Sequence, residues 1–288
     1  MEWEHDQSDE LLFQPPPCLG SSISIRRSIR WLPAEEGEPT STIVLSTPGH
    51  RFVDLRVFKP LPPLTQGYSE LPLSQLDWAI AGLSVTVTDD EIDEGGPGSW
   101  FNPEKGSAPG KWVQHNRWHH WIDSRTSNAE EVVDEGDIFE CPFSPDLILE
   151  RGRMVNPETG KMTDYEEVWR SEFPHRVPMR HAHDPTPDVE CIALQWQGEE
   201  VGERDQRAVK RGLVVRVGRY CQGLLRDGDS ITAIREEWDK HKQEWMTVVK
   251  IGKEKLPMTT ATSFASDLCV GAKVTVAGRV WEVVEWVN

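Results

Sequence analysis

Long apolar runs are missing from this sequence of 288 residues. No stretch approaches the roughly 18 consecutive apolar residues that a membrane-spanning helix needs. The first ten residues are acidic and polar, so they lack the basic start and the apolar centre of a secretion signal. With a mean hydropathy of −0.53, the chain is expected to be a soluble, cytoplasmic protein without a membrane span.

Cysteine and basic residues are also scarce. The five cysteines are odd in number and contain no C-x-x-C pair, which argues against a disulfide framework and against a zinc ribbon. The net charge of −17 would repel phosphate backbones, so we expect no nucleic-acid partner.

Catalytic signatures are the third absence. There is no G-x-S-x-G motif, and the glycines at 95–98 lack the Lys-Ser/Thr ending and the helix of a phosphate-binding loop. We therefore predict no cofactor and no metal, and the sequence favours a protein that is not an enzyme.

Tryptophan, by contrast, is abundant, with 13 residues against 3 tyrosines. A large apolar ring with one hydrogen-bond donor suits barrel walls, ligand pockets and interfaces. The same residues can simply fill cores, and composition leaves both interpretations open.

Short apolar segments of strand length recur along the chain and predict an all-β protein. In residues 52–58, Val53, Leu55 and Val57 share one face, which we expect to face a core. The pair Ala81-Gly82 inside another strand predicts a bulge or a close backbone approach. Residues 230–251 have helical spacing of apolar side chains, and propensity favours a helix, but the same stretch can form two strands.

The segments divide into two halves. We predict a disordered tail over residues 1–20, a β-barrel domain over 21–174, a His/Pro-rich linker over 175–188 and a second β-barrel domain over 189–288. A long acidic loop is predicted over residues 89–110.

Several strings in order along residues 40–288 resemble those of the fungal HRI family, named for an interaction with a casein-kinase-type protein kinase. They are VDLRVF at 53–58, WAIAG at 78–82, YEEVW at 165–169, LVVRVGRYCQGLL at 213–225 and WEVVE at 281–285. The resemblance implies two calycin-like, lipocalin-style barrels, a hairpin over 230–251 and a protein partner, with a protein kinase as one candidate. It implies no catalytic residues.

The densest polar pattern lies in residues 111–123. On a strand, His115, Arg117, His119 and Asp123 point one way, whereas Trp112, Trp118, His120 and Ile122 point the other. Histidines four apart on a strand are about 13 Å apart, too far to share a metal ion. We predict a barrel lumen in which His115, Arg117 and His119 bind an organic anion; solvated histidines are the alternative.

Three further residues complete the candidate ligand-binding set. They are Trp78, Arg219 and Tyr220. Arg219 alternates in phase with Leu213 and Val215, so it is expected to be a buried or lumenal charge, paired with Glu282 or Glu285. It could serve a carboxylate-binding lumen or a structural ion pair.

A second histidine cluster lies in the predicted linker. His175, His181 and His183, with Asp184, would bind a metal only if the loop folded around it; an exposed linker is the simpler interpretation.

Two functions follow from these patterns. The first is a non-enzymatic binding or adaptor protein. The second is a barrel that binds a hydrophobic or aromatic small molecule in its lumen, or a cofactor-free cyclase, isomerase or dehydratase of fungal secondary metabolism with His115 or His119 as acid or base. An open lumen favours the second function, and filled barrels favour the first.

Overall fold

The computed structural model describes residues 20–61, 70–87, 110–141, 144, 146–175, 177, 190–199, 208–263 and 268–287. The predicted tail, the acidic loop before Gly110 and nearly all of the linker, with His181, His183 and Asp184, lie outside this part of the chain. No helix within it is long and apolar enough to cross a membrane.

The first half is a closed antiparallel barrel of eight strands, in which each strand pairs with the next and the last pairs with the first. Closure removes the free edges of the sheet, so the backbone N–H and C=O groups of every strand can pair with a neighbouring strand. The strands are β1 Ser22–Trp31, β2 Thr40–Ser46, β3 Arg51–Phe58, β4 Leu76–Val87, β5 Trp112–Asp123, β6 Val133–Glu140, β7 Leu147–Val155 and β8 Met162–Glu172.

The second half is an antiparallel sheet of seven strands in the order β13-β12-β11-β10-β9-β15-β14. Its elements are β9 Cys191–Gln197, β10 Lys210–Val217, β11 Tyr220–Asp227, β12 Ser230–Asp239, β13 Glu244–Ile251, the short helix α1 Met258–Thr262, β14 Lys273–Val276 and β15 Arg279–Val287. The all-β prediction is confirmed, and so is the hairpin over 230–251. The second half, predicted as a β-barrel domain, is a seven-stranded sheet whose outer strands β13 and β14 do not pair with each other within the described residues.

The alternation that placed Arg219 in phase with Leu213 and Val215 is interrupted. The chain folds back at Gly218, whose φ of 52° suits glycine. Val217 and Tyr220 then face each other across a hairpin. Arg219 therefore lies in a turn, and it does not continue the alternation of Leu213 and Val215.

The largest hydrophobic core lies outside the barrel, between its wall and the second sheet. Val53, Leu55 and Val57 are fully buried there, which confirms the expectation for this face of β3. From the second sheet, Leu213 and Val215 pack in the same cluster. The alternate residues of β3 consequently point into the barrel.

Two buried polar side chains cross this core. Gln222 donates from Nε2 to the carbonyl oxygens of Ile43 and Val53 at 3.0 and 2.9 Å. Arg235 donates to Leu55 O at 2.7 Å and to Gln222 Oε1 at 2.7 Å. The second sheet is thus hydrogen-bonded to the backbone of the barrel wall as well as packed on it.

The other face of the second sheet is filled by side chains. Leu256 and Met258 cover it, together with Trp281, and all three are buried. This half therefore has its own packed core.

A bulge in β5 lies opposite Gly82, as the Ala-Gly pair predicted. Ala81 pairs with Ile122 and Gly82 pairs with His120, which leaves Trp121 as the extra residue. A Cβ atom at position 82 would clash with the carbonyl oxygen of His119. Only glycine allows the two strands to approach this closely.

We expect Gly82→Ala to lower the free energy of unfolding by about 2–3 kcal/mol, since backbone would have to move to admit the methyl group. Urea unfolding followed by tryptophan fluorescence measures this. Gly37→Ala is the matched control, because nothing lies within 4 Å of its Cβ position. Equal unfolding midpoints for the two variants would contradict the close approach.

Candidate ligand-binding site

The barrel encloses a cavity of about 240 Å³ lined by side chains from all eight strands. At the end where β1 begins, its lining consists of small polar groups, including Ser22, Ser46 and Gln114. Thr86 and Ser171 of this serine end are exposed, so the cavity opens to solvent here.

An apolar section follows deeper in the lumen. It includes Phe52, Ile80, Trp118, Ile148 and Trp169. Phe52, Ile80 and Trp169 are almost completely buried. Flat aromatic and branched side chains of this kind provide contact area for an apolar guest.

The charged end of the cavity begins with a chain of ion pairs. Arg56 donates from Nε to Asp54 Oδ2 at 2.9 Å and lies 3.3 Å from Glu167 Oε1. Glu167 is also paired with Arg26, which in turn binds Glu38 at 2.9 Å. These buried charges are tolerable because they neutralise one another.

Glu150 is the exception at the charged end. It stands directly opposite Glu167 in the pairing of β7 with β8, and its Oε1 accepts a hydrogen bond from Tyr165 at 2.9 Å. Burial and the nearby Glu167 carboxylate raise the pKa of Glu150 to about 8. Its side chain is consequently mostly protonated at neutral pH.

His120 lies between two carboxylates at the same end. Its Nδ1 is 2.9 Å from Asp123 and its Nε2 is 3.2 Å from Asp134. Burial lowers the pKa of His120, but these hydrogen bonds outweigh it and raise the pKa to about 9. The ring is therefore held as an imidazolium, which makes it a poor general base.

Two lumenal polar atoms have no hydrogen-bond partner within the described residues. They are Oδ1 of Asp54, an acceptor, and Nε1 of Trp169, a donor. Asp54 is 3% exposed and Trp169 is 5% exposed. Buried polar groups are usually paired with protein or with ordered water, so each of these atoms has hydrogen-bonding capacity for a molecule in the lumen.

Three of the predicted site residues face away from the cavity, which corrects the facing expected for β5. The lining comes from the alternate set Gln114, Asn116, Trp118 and His120. On the outer wall, His115 binds Asp137 at 3.0 Å, Arg117 lies 3.3 Å from Glu135, and His119 is exposed.

The bulge explains part of the wrong prediction of which β5 side chains face the lumen. Because Trp121 is an extra residue, the side chains of His120 and Asp123 meet, although they are three apart. Ile122 is left to pack in the core outside the barrel. No pattern in β5 alone shows the bulge, but Gly82 on the neighbouring strand does signal it.

The remaining predicted residues are dispersed. Trp78 donates to Asp123 at 2.9 Å under the Arg125 guanidinium, which is 4.3 Å from the ring, so it supports the charged end. Trp112 lies 3.3 Å from Asp137, the partner of His115.

Arg219 and Tyr220 do not line the cavity either. Arg219 binds Glu172 at 2.9 Å, and Tyr220 is buried between the two halves. The expected partners were wrong: Glu285 instead accepts from Thr47 and Arg51, both at 2.7 Å. The structural ion pair exists, but it joins the hairpin turn to the end of β8.

Metal binding has no support in the part of the chain that is described. No group of three or more His, Cys, Asp or Glu side chains could hold an ion there.

The His120 contacts predict a pH dependence of stability. Its pKa is raised from 6.5 to about 9 on folding, so its contribution is complete below pH 6.5 and is lost as the pH rises through 9. The loss is on the order of 3 kcal/mol, at 1.36 kcal/mol per pKa unit.

We therefore expect the free energy of unfolding to fall less between about pH 6 and about pH 9.5 in His120→Asn than in the unmodified protein. Urea titrations at the two pH values measure this. His119→Asn, on the outer wall, is the control and should retain the full pH dependence. An unchanged dependence in His120→Asn would contradict the imidazolium assignment.

Comparison with known proteins supplies the family. A family model described as Protein HRI1 matches residues 22–285. A crystal structure of an uncharacterized protein from Saccharomyces cerevisiae superposes with a TM-score of 0.60 at 18% identity, covering 93% of this chain and 99% of the other. A comparison with curated proteins finds no match. The yeast structure supports the fold alone, and the family match over nearly the whole chain shows that this protein belongs to the HRI1 family.

Proposed function

We propose that this HRI1-family protein binds a small organic molecule in the lumen of its barrel. The observation that carries the proposal is the solvent-open cavity of about 240 Å³. An apolar cavity of about 150 Å³ already binds benzene, so this lumen can hold more than one aromatic ring.

The contrast between the two halves supports the same proposal. In the second half, Leu256, Met258 and Trp281 are packed in a buried cluster on the face of the sheet that points away from the barrel. The barrel does not need a filled lumen, because its wall is stabilised by the core outside it. Its interior is thus available for a guest.

Binding fits the lumen better than turnover does. His120 is engaged on both ring nitrogens by Asp123 and Asp134. His115 and His119, the candidate acids or bases for an enzyme, are on the outer wall. The proposal is therefore a non-enzymatic binding protein, while the protein partner, with a protein kinase as one candidate, and the cytoplasmic location stay predictions.

A variant that fills the lumen tests the proposal. Ser24 lines the cavity, so Ser24→Phe should abolish binding of tryptophol, an indole alcohol used as a neutral aromatic probe. Isothermal titration calorimetry and saturation-transfer NMR measure the binding.

Val85→Phe is the matched control, because Val85 is 46% exposed on the barrel and absent from the lumen lining. It should bind tryptophol as the unmodified protein does. Tryptophol binding that is unchanged in Ser24→Phe would contradict a lumenal site. Failure of both tryptophol and its amine analogue tryptamine to bind would contradict it as well.

A further inference from the structure

We infer that the guest of the barrel is an organic cation: a small amine with a flat apolar body, whose ammonium group lies against Glu150. This inference rests on the proposed function and specifies the class of ligand.

The charges of the lumen are unbalanced toward acid. Four carboxylic residues line the cavity against two cationic side chains, Arg56 and His120; the four are Asp54, Asp134, Glu150 and Glu167. The other three carboxyl groups have cationic partners within 3.3 Å. Glu150 forms no ion pair within the described residues, and its cross-strand neighbour is another glutamate. A cation is the group that this position lacks.

The spare hydrogen-bonding capacity points the same way. Oδ1 of Asp54 is buried without a donor, and Glu150 receives only the Tyr165 hydroxyl. An ammonium group carries three donors and no acceptor. It therefore matches the charged end of the cavity, where the free hydrogen-bonding capacity belongs chiefly to carboxyl oxygens.

An anionic guest fits this lumen poorly, in contrast to the expectation from the sequence. Arg56 is engaged by Asp54 and Glu167, and both nitrogens of His120 are taken. A carboxylate placed here would meet four acidic residues, and the indole Nε1 of Trp169 is the one fully buried side-chain nitrogen without a partner in the described lining.

The apolar section supplies the body of the ligand site. Ile148 and Trp169 are paired across β7 and β8, two residues along from Glu150 and Glu167. An amine held at Glu150 would thus place its apolar part beside Trp169. Aromatic faces attract cations as well as flat rings.

Proton release provides a signature that a non-specific site would lack. Burial and the Glu167 carboxylate raise the pKa of Glu150 to about 8, against the smaller opposing effect of Arg56, so a proton on Glu150 is expected at pH 7 before a guest binds. A neighbouring ammonium favours the carboxylate. Binding of a cation at pH 7 should consequently release close to one proton, whereas binding of a neutral guest should release none.

The test compares tryptamine with tryptophol, which carries a hydroxyl group in place of the ammonium. Calorimetry at pH 7 in two buffers of different ionisation enthalpy gives both affinity and proton release. We expect tryptamine to bind about 10-fold more tightly, as a charge-assisted hydrogen bond requires. Proton release should accompany tryptamine alone.

Glu150→Gln should lower tryptamine affinity about 10-fold, lower tryptophol affinity less, and abolish proton release. Glu135→Gln is the control, because Glu135 is half exposed on the outer wall. An unchanged urea midpoint shows that each variant is folded, and proton release by the unmodified protein tests the inference without any variant.

The outcomes separate the two proposals. Tryptophol binding that equals tryptamine binding and is blocked by Ser24→Phe would overturn the cation inference and leave the lumenal function standing. Tryptamine binding that persists in Ser24→Phe would reflect the acidic surface and overturn the inference. Failure of both probes to bind would contradict the proposed function itself.

Discussion

The structure depends on a core that lies outside the barrel rather than within it. In β3 the aliphatic residues Val53, Leu55 and Val57 alternate with Phe52, Asp54 and Arg56 in strict period two. Since the aliphatic face is buried against the second sheet, the polar face has to point into the lumen. A barrel that stood alone would need its interior for packing, and this one obtains that stabilisation from its neighbour. The lumen is thereby free to be polar, charged and open.

The interface between the two halves has to provide hydrogen bonds for buried backbone groups as well as bury apolar surface. Gln222 and Arg235 are fully buried, yet their donors reach carbonyl oxygens of β2 and β3. Burial lowers the pKa of Arg235 to about 10, so it remains a cation at neutral pH. These directed contacts fix the orientation of the second sheet, which apolar packing alone would leave less defined.

Much of the fold follows from sequence periodicity, and the errors have local physical causes. The apolar trio of β3 and the glycine opposite the bulge were sufficient to predict a core face and a close approach. The lining of β5 was not predictable in the same way, because Trp121 interrupts the alternation and the outer wall there carries polar residues such as Arg117 and His119. The position of Arg219 was predicted wrongly because β10 ends at Val217 and the chain turns at Gly218, which has a positive φ.

The charged end of the lumen shows why a site of this kind escapes sequence analysis. Glu150 and Glu167 are 17 positions apart, and only Glu167 belongs to one of the family-like strings, YEEVW at 165–169. They become neighbours only through the register of β7 and β8. A shift of one residue in that register would move the side chains of one strand to the opposite face of the sheet. Closure of the barrel then confines both to one lumen with Asp54 and Asp134. Four carboxylic residues there face two cationic side chains of the lining, and Arg26, the further cation on Glu167, is shared with Glu38. Burial beside Glu167 raises the pKa of Glu150 and so favours a proton on this carboxyl group, at the position where the inferred ammonium group would lie.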